Sequence, residues 1–199
     1  AIAIPTLNRH DLLNPTLQKY VSDLFPSTEI CIFDNGNQPI YKHENISFPF
    51  LKQEENLFVS GSWNELCIKV FSNYDYCLML NDDICIHANE RQIIQLIEEN
   101  PTVNFFNSLF QWSSFLLPKK TYHQIGLFDE NLKIWFQDND YEYRMKRENV
   151  NVLTTSVLNP IEFRKDGTVE RNPILHKQFE LDRQAYFRKH GAGPGSELY

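Results

Sequence analysis

The sequence has few of the residues that break or stiffen a chain: 7 glycines and 10 prolines among 199 residues. This scarcity excludes collagen-like repeats and low-complexity scaffolds, which need far more of both. No apolar run reaches the roughly 18 residues that span a bilayer, and the first residues lack the basic-then-apolar layout of a secretion signal. We therefore expect a soluble, globular protein with no membrane span.

Positive charge is also scarce. Asp and Glu number 26 against 19 Lys and Arg, which gives a net charge of −7, and no local basic stripe offsets it. This balance argues against nucleic acid or anionic lipid as a partner, because both are captured by clustered positive charge. A ligand that carries phosphate would be repelled, so we expect such a ligand to need a cation.

Cysteine is limited to four residues: Cys31, Cys67, Cys77 and Cys85. Their spacing does not match a zinc knuckle, and three of them lie in apolar runs that are typical of buried strands. We expect reduced cysteines that serve in packing, and hence a reducing compartment, the cytoplasm. The chain begins at Ala1 within a strand-like stretch, which leaves open that it is one domain of a longer protein.

Apolar residues are plentiful: they make up 42% of the chain, and aromatic residues make up 14%. This is enough for one well-filled core and predicts a single domain. In the first hundred residues, strand and helix patterns alternate. Apolar runs predict strands at 1–5, 29–33 and 76–80. Helices are predicted where Asn14 and Pro15 provide a start, over 61–71, and where Asn89 and Gln92 form a capping box. The alternation predicts an α/β fold with a mostly parallel central sheet flanked by helices.

The pattern changes after residue 100. Residues 103–117 are rich in aromatics and have no simple period, which favours mixed strands. Residues 127–147 predict a loop that runs into a helix, 150–157 a strand, and 181–190 a last helix with Gly191 just past its end. Residues 191–195 predict an irregular tail.

Polar side chains follow each of the three predicted strands of the first half. They are Thr6, Asn8 and Arg9 after the first strand, Asp34 and Asn35 after the second, and Asn81, Asp82 and Asp83 after the third. In an open α/β sheet the carboxyl ends of the strands line one crevice, so these side chains should converge there. Asp and Asn also form turns by bonding their own backbone, and this alternative stays open for each group.

Asp82 and Asp83 carry the sharpest hypothesis. Two adjacent carboxylates on a tight turn repel each other, and hard oxygen ligands suit Mg²⁺ or Mn²⁺ that bridges to a diphosphate. Such a cation would reverse the local negative charge and stabilise a leaving phosphate as a Lewis acid. The pair therefore predicts a metal-assisted nucleotide site in which one carboxylate binds the cation directly.

Several segments together resemble the glycosyltransferases of the GT-A fold, in particular the family 2-like enzymes. They are AIAIPTLNR at 1–9, FDNG at 33–36, LNDD at 80–83 as a variant DxD motif, GLFDE at 126–130, FQDNDYEYR at 136–144, and YFRKHG at 186–191 followed by PG at 194–195. The resemblance spans nearly the whole chain, whose compact size is also similar to that of small glycosyltransferase domains of large algal viruses. Two positions depart from the family pattern: Asn81 replaces the first Asp of DxD, and Gln137 replaces the usual acid before Asp138.

The resemblance implies a GT-A domain over residues 1–199, with a nucleotide-binding half at 1–100 and an acceptor-binding half with a small mixed sheet at 101–199. It implies a nucleotide site, usually for uridine, formed by Thr6, Asn8, Arg9, Asp34, Asn35, Asn56, Gly61, Trp63, Asn64, Asn81 and Asp82. Asp83 would bind Mn²⁺ or Mg²⁺. His176 matches a histidine that ligates the metal in many such enzymes, although an ordinary histidine is an equal alternative, as core packing is for Trp63.

The same resemblance implies that Asp138 is the general base, which accepts the proton of the acceptor hydroxyl as its oxygen attacks the anomeric carbon. Asp140 is the second candidate, and helix capping is the structural alternative for Asp138. Trp112 is a candidate to stack on an acceptor sugar, although core packing is favoured for it.

The sequence therefore predicts a metal-dependent enzyme that transfers a hexose from a UDP-sugar to a glycan or other hydroxyl acceptor, with inversion. The chain has neither the Gly-rich first turn of dinucleotide dehydrogenases nor a phosphate-binding GxxxxGK[ST] loop. The rival interpretation is a non-catalytic carbohydrate-binding or assembly module that retains the fold, and Asn81 and Gln137 favour it.

Overall fold

The computed structural model of the protein describes residues 1–48, 56–163 and 173–198. Nine strands occur in this part of the chain. They are β1 (Ile2–Thr6), β2 (Ile30–Asp34), β3 (Ile46–Ser47), β4 (Tyr76–Leu80), β5 (Ile84–Ile86), β6 (Asn104–Asn107), β7 (Gln111–Pro118), β8 (Val152–Thr155) and β9 (Pro160–Phe163). Seven of them form a sheet in the order β3-β2-β1-β4-β7-β6-β8, and β5 pairs with β9 in a second, two-stranded sheet.

Six α-helices connect these strands: α1 (His10–Lys19), α2 (Phe58–Asn73), α3 (Glu90–Glu99), α4 (Lys119–Ile125), α5 (Gln137–Arg147) and α6 (Pro173–His190). A π-helical turn (Tyr20–Leu24) continues α1, and a 3-10 turn (Ser156–Leu158) follows β8. Among the described residues, no helix has the length and apolar character needed to cross a bilayer.

The large sheet is parallel except for one strand. β1 pairs in parallel with β2 and β4, and β2 with β3. β7 runs antiparallel to both β4 and β6, whereas β6 and β8 are parallel. Only β7 therefore runs against the others, which confirms the expected α/β fold with a mostly parallel sheet and the expected mixed strands after residue 100.

The core occupies both faces of the sheet. Successive side chains of a strand point to opposite faces, so each buried strand contributes side chains to two apolar layers. One layer contains Ile2, Ile4, Ile30 and Ile32 with Leu13 and Leu17 of α1. The other contains Ala3, Cys31, Phe33, Cys77 and Met79 with Trp63, Leu66 and Cys67 of α2. Burial on both faces explains why these strands are continuous apolar runs in the sequence.

Most predicted elements are confirmed, with shifts at helix starts. The capping box at α3 is present, since Gln92 N donates to Asn89 Oδ1 at 3.1 Å and Asn89 N to Gln92 Oε1 at 3.0 Å. The predicted start at Asn14 is wrong, because α1 begins at His10 and Asn14 lies inside it. The Asn14 amide bonds instead to Pro39 O at 3.0 Å and Tyr41 N at 2.8 Å.

Candidate active site

The carboxyl ends of β1, β2 and β4 meet in one hydrogen-bonded network, as their parallel pairing requires. The Thr6 hydroxyl donates to Asp82 Oδ2 at 2.7 Å. The Gln38 amide Nε2 lies 2.9 Å from Thr6 Oγ1 and 3.1 Å from Asp34 Oδ1. Side chains that are up to 76 residues apart in sequence are thus gathered at one edge of the sheet.

Asp34 also shapes its own turn. Its two carboxylate oxygens accept hydrogen bonds from Gly36 N and Gln38 N, each at 2.9 Å. The loop after β2 packs tightly against the loop after β1, because a Cβ on Gly36 would lie 2.2 Å from Asn8 Oδ1. Asn8 itself adopts a left-handed φ of 55°. The turn-forming alternative is therefore correct for Asp34, and it coexists with the convergence of the strand ends.

Asn35 and Asn56 fix the start of α2 beside this network. Asn35 Nδ2 donates to Ser62 Oγ at 2.8 Å, and Asn35 Oδ1 accepts from Leu57 N at 2.9 Å. Asn56 Oδ1 accepts from Phe58 N at 2.7 Å, next to a left-handed φ of 57° at Phe58. Both asparagines therefore lie at the edge of the crevice and fix the start of α2 there.

Arg9 lies at the same edge and is only 3% exposed. Its Nε is 3.1 Å from Asp11 Oδ1. A buried guanidinium beside the strand ends brings positive charge into a protein that is negative overall.

Asp82 and Asp83 are both partly buried directly after β4. The pKa of Asp82 is raised to about 6, chiefly by burial and also by the neighbouring Asp83 carboxylate, while the hydrogen bond from the Thr6 hydroxyl opposes the rise. A raised pKa means that the negative charge is poorly compensated at this place. Mg²⁺ and Mn²⁺ at nucleotide sites typically use one or two carboxylates together with phosphate oxygens and water. The acidic pair fits such a cation.

The protein side chains alone do not complete a metal site in the described part of the chain. No group of three or more His, Cys, Asp or Glu side chains there is arranged to hold a metal ion. His176, predicted as a metal ligand, is exposed on the first turn of α6 and belongs to no such group. Asn81 lies beside the acidic pair, and its backbone N–H donates to Ser113 O at 3.0 Å.

Two aromatic residues with predicted ligand contacts lie in the core instead. Trp63 is 2% exposed and Trp112 is 8% exposed. Their ring centroids are 6.2 Å apart, and Trp63 also packs edge-on against Phe115 and Phe128 at 5.3 and 5.0 Å. This corrects the assignments of Trp63 to the nucleotide and Trp112 to the acceptor. Large rings fill the space between α2 and the sheet and are shielded from solvent.

Gly61 and Asn64 are likewise buried within α2 and do not form an open turn. Asn64 Nδ2 donates to Phe128 O at 3.0 Å and to Glu130 Oε1 at 2.9 Å, and Asn64 Oδ1 accepts from Phe128 N at 2.8 Å. Asn64 therefore secures the 128–130 segment, which corrects its assignment as a nucleotide contact. Gly61 serves close packing, because a Cβ there would lie 2.9 Å from Leu57 Cβ.

Buried polar groups also fix the segment that leads to α5. The Ser60 hydroxyl donates to Leu132 O. Asp182, fully buried on α6, accepts from Ile134 N and Trp135 N at 2.9 Å each. The next residue, Phe136, has a left-handed φ of 66°. The chain is thus held on both sides as it turns into the first residues of α5.

Asp138 lies in this first turn of α5 and is partly buried. The N-cap residue of α5 is Phe136, with no side-chain capping bond, and Asp138 Oδ1 accepts from Asn139 N at 2.9 Å. Burial raises the pKa of Asp138, and the Glu142 carboxylate adds to the shift. A carboxylate whose pKa is raised is a better proton acceptor near neutral pH. The environment suits a general base.

Asp140 occupies a different environment. It is fully buried, with Arg144 Nε at 2.9 Å, Lys189 Nζ at 2.6 Å and His190 Nε2 at 2.9 Å. Lys189 also pairs with Asp129 at 2.7 Å. This ion cluster joins α5, α6 and the 126–130 segment. A base needs an open approach for its substrate, so the arrangement argues for a structural role of Asp140.

Sequence reasoning missed two residues that organise the site. Gln38 links Asp34 to Thr6, but an isolated glutamine in a loop carries no periodic signal. The role of Asp182 could have been inferred from the sequence. Helical spacing places it on the same face of α6 as Tyr186 and His190, which are both buried. An acid on a buried stripe indicates a polar partner across the interface.

Comparison with known proteins identifies the fold. Neither a family model nor a curated protein sequence matches the chain. Among solved structures, the mannosyltransferase PcManGT from Pyrobaculum calidifontis, in complex with GDP-Man and Mn²⁺, aligns with a TM-score of 0.61 and 10% identity, over 97% of this chain and 65% of that one. A TarS fragment from S. aureus, residues 1–349, aligns with a TM-score of 0.53 and 13% identity, over 78% of this chain and 57% of that one. A second S. aureus TarS structure aligns with a TM-score of 0.55 and 12% identity, over 78% of this chain and 34% of that one.

The chain spans less than two thirds of the length of each of these structures. They give no support to the expected similarity to algal-virus enzymes. At such low identity the likeness concerns the fold alone. The chain therefore has the GT-A-like fold of glycosyltransferases.

Proposed function

We propose that the protein is a glycosyltransferase that moves a hexose from a UDP-sugar to a hydroxyl acceptor such as a glycan. The observation that carries the proposal is the network of Thr6, Gln38, Asp34 and Asp82, which gathers three strand ends at the crevice of a GT-A-like fold. In open α/β sheets this edge is where nucleotides bind. A GDP-sugar is the second candidate donor, because the PcManGT structure contains GDP-Man.

The nucleotide is assigned to residues 1–100 and the acceptor to residues 101–199. Thr6, Asn8, Asp34, Asn35 and Asn56 lie at or beside the network and offer hydroxyl, amide and carboxylate groups to a base and a ribose. Arg9 contributes positive charge toward the diphosphate, and it is already ordered by Asp11. These groups would bind and orient the donor.

Mn²⁺ or Mg²⁺ would be held by Asp83 with Asp82 beside it. The PcManGT structure contains Mn²⁺, and the raised pKa of Asp82 marks a place where a cation is favourable. When bound, the ion supplies Lewis-acid stabilisation of the leaving diphosphate. Asn81 removes one carboxylate from the usual motif, so the protein offers two acidic side chains at this turn.

Asp138 is the proposed general base. It would take the proton from the acceptor hydroxyl while that oxygen attacks the anomeric carbon and the bond to the diphosphate breaks. A single displacement of this kind inverts the configuration at the anomeric carbon. A positioned base contributes about 10²–10⁴-fold to the rate. The segment that Asn64, Ser60 and Asp182 hold would keep the carboxylate in place.

The test is release of UDP or GDP from a panel of nucleotide sugars, with Mn²⁺ or Mg²⁺ and simple glycoside acceptors. We expect Asp138→Asn to lower transfer by at least about 10²-fold with little change in nucleotide affinity. Glu148→Gln, which changes an exposed acid at the C-terminal end of α5, is the matched control and should keep its activity. Transfer by Asp138→Asn at the rate of the control would exclude this base.

A non-catalytic carbohydrate-binding module is the second candidate. Gln137 favours it, because a buried amide, 6% exposed, occupies the place of an acid at the head of α5. This candidate predicts that a glycoside binds while no donor in the panel releases nucleotide. The two outcomes separate an enzyme from a binding module in one experiment.

A further inference from the structure

The loop after β2 contains a side-chain oxygen that has no hydrogen-bond partner. Gln38 Oε1 is shielded from solvent and accepts no hydrogen bond from the described part of the chain. Buried polar atoms are nearly always bonded, because an unpaired acceptor loses its hydration without compensation. The contacts within the protein therefore leave this oxygen in need of a donor from outside the chain.

The other end of the Gln38 amide determines its orientation. Nε2 lies 2.9 Å from Thr6 Oγ1 and 3.1 Å from Asp34 Oδ1. The Thr6 hydroxyl uses its own hydrogen to bond Asp82, and an ionised Asp34 carboxylate can only accept. Exchange of the amide nitrogen and oxygen would place an oxygen against these acceptors. Oε1 is therefore the end of the amide that points away from Thr6 and Asp34.

The loop that carries Gln38 is held in a defined shape. Asp34 accepts hydrogen bonds from Gly36 N and Gln38 N, each at 2.9 Å. Asn37 has a left-handed φ of 59°, which asparagine tolerates better than most residues with a side chain. Asn14 of α1 bonds the following residues of the loop through both ends of its amide. The position of the Gln38 amide is thus fixed before a ligand binds.

Gln38 lies at the edge of the sheet where the nucleotide is proposed to bind. Its partners Thr6 and Asp34 are the last residues of β1 and β2. Gln38 itself is only partly buried, and its neighbours Asn37 and Pro39 are exposed. The unpaired oxygen therefore belongs to a loop at the surface of the crevice and not to the core.

An acceptor oxygen at this place selects among the parts of a nucleoside diphosphate. The ionised diphosphate carries oxygens without hydrogens, so it cannot donate to Gln38 Oε1 and is repelled by the adjacent Asp34 carboxylate. The nucleoside does carry donors: the ring N–H of uracil or guanine and the hydroxyls of ribose. Only the nucleoside part can therefore satisfy this oxygen.

We propose that Gln38 Oε1 accepts a hydrogen bond from the nucleoside of the sugar donor, either from the ring N–H of the base or from a ribose hydroxyl. The inference rests on the proposed function, because it names a specificity-determining residue of that site. Asp34 already accepts three hydrogen bonds within the protein. Its carboxylate positions the Gln38 amide, and the amide makes the contact.

The test compares UDP with N3-methyl-UDP, which lacks the ring N–H, and with 2′-deoxy-UDP and 3′-deoxy-UDP, which each lack one ribose hydroxyl. Isothermal titration calorimetry with Mn²⁺ measures the dissociation constants for the wild type and for Gln38→Met, which keeps the length of the side chain and removes the amide. We expect one analogue to bind the wild type about tenfold more weakly than UDP does. Gln38→Met should bind that analogue and UDP equally, and the analogue identifies the donor group.

The corresponding analogues of GDP replace this series if GDP binds the wild type more tightly than UDP. Gln95→Met, which changes an exposed glutamine of α3, is the matched control and should discriminate among the nucleotides as the wild type does. A merely structural role of Gln38 would weaken the binding of every nucleotide by the same factor and leave the ratios between them unchanged.

Three results would overturn the contact: equal binding of the parent nucleotide and all its analogues by the wild type, identical affinity ratios in the wild type and Gln38→Met, or no binding of UDP or GDP. Nucleotide release from the donor panel separates this failure from that of the proposed function. Release by a wild type that fails to discriminate through Gln38 removes the contact only. Discrimination through Gln38 without release from any donor removes only the enzyme activity.

Discussion

At the scale of a single residue, two opposing effects set the pKa of Asp82. Its carboxylate accepts a hydrogen bond from Thr6 at 2.7 Å, which favours the ionised form, whereas burial and the adjacent Asp83 favour the protonated form. Burial dominates, and the pKa rises to about 6. In the absence of a cation, the folded protein therefore holds this proton more tightly than the unfolded chain does.

This imbalance predicts a pH dependence of stability. Between the ordinary pKa of 3.8 and the folded value of about 6, the folded state binds more protons than the unfolded state, so the free energy of unfolding decreases as pH rises and levels off above that window. Asp82→Asn should remove this decrease. We expect the variant to match the wild type near pH 4 and to exceed it by about 2 kcal/mol at pH 7. Urea unfolding at each pH measures the difference.

The control for this prediction is Asp23→Asn, which neutralises an exposed acid in the π-helical turn after α1. Its unfolding free energy should follow the wild type at every pH. If Asp82→Asn also runs parallel to the wild type from pH 4 to pH 7, Asp82 does not carry the raised pKa.

Single residues also mark the limit of sequence reasoning. The positions of Thr6, Asp34 and Asp82 after apolar runs predicted their convergence correctly, because strand ends in a parallel sheet share an edge. Trp63 and Trp112 could not be assigned in the same way. An aromatic residue near a polar motif fits a ligand wall and a core equally well, and only packing against rings such as Phe115 and Phe128 decides.

At the scale of elements, one buried carboxylate of α5 pairs with charged side chains of α6. Asp140 faces Arg144, Lys189 and His190. Removing one partner from a buried ion cluster leaves the remaining charges uncompensated, which typically costs about 3–5 kcal/mol. We expect Asp140→Asn to lower the free energy of unfolding by an amount at the lower end of that range, because Lys189 and Arg144 keep contact with solvent. Chemical denaturation measures it.

Glu180→Gln provides the comparison for Asp140→Asn. Glu180 pairs with Arg183 on the exposed side of α6 at 2.7 Å, and exposed pairs contribute little to stability because water solvates both charges. Its unfolding midpoint should match that of the wild type. Equal midpoints for all three proteins would show that the cluster around Asp140 does not hold the helices together.

Asp182 holds the segment before α5 and should therefore act on the rate through Asp138. Asp182→Ala removes the acceptor of Ile134 N and Trp135 N, so the first turn of α5 loses its support. We expect kcat to fall by about tenfold or more, since small displacements of a base are costly, while the nucleotide dissociation constant stays the same. Asp182→Asn keeps one acceptor oxygen and should recover part of kcat. A parallel loss of nucleotide affinity would indicate general unfolding instead.

Elements were predicted well where local chemistry decides and less well where distant contacts do. The capping box of α3 is a local device, and Asn89 and Gln92 form it as expected. Asn14 and Pro15 carry an equally strong local signal for a helix start, yet α1 begins at His10. The Asn14 amide is used by Pro39 and Tyr41, which are 25 and 27 residues away along the chain and invisible to local reasoning.

At the scale of the whole molecule, charge and fold make opposing demands. The sheet gathers carboxylates at one edge, and the protein carries a net charge of −7. A nucleoside diphosphate adds more negative charge at that edge. Arg9 is a positively charged side chain at this edge, and it already pairs with Asp11. A divalent ion between the acidic pair and the diphosphate would remove the conflict.

This conflict predicts that nucleotide and metal stabilise the protein together. A ligand that binds only the folded state adds RT ln(1 + [L]/Kd) to the free energy of unfolding, about 2.7 kcal/mol at a hundredfold excess over Kd. UDP with Mn²⁺ should therefore raise Tm by several degrees, whereas UDP with chelator should raise it far less, because the diphosphate then meets uncompensated carboxylates. GDP in place of UDP, measured in parallel, tests the base preference.

The variant that isolates the metal is Asp83→Asn. It should lose the joint shift in Tm and keep the small shift seen with UDP and chelator, since the base and ribose contacts remain. Glu44→Gln, an exposed acid near β3, should respond like the wild type. The decisive comparison is between UDP with Mn²⁺ and UDP with chelator in the wild type. Equal stabilisation in both conditions would mean that Arg9 and backbone groups neutralise the diphosphate without a metal. Asp83 would then not be a metal ligand.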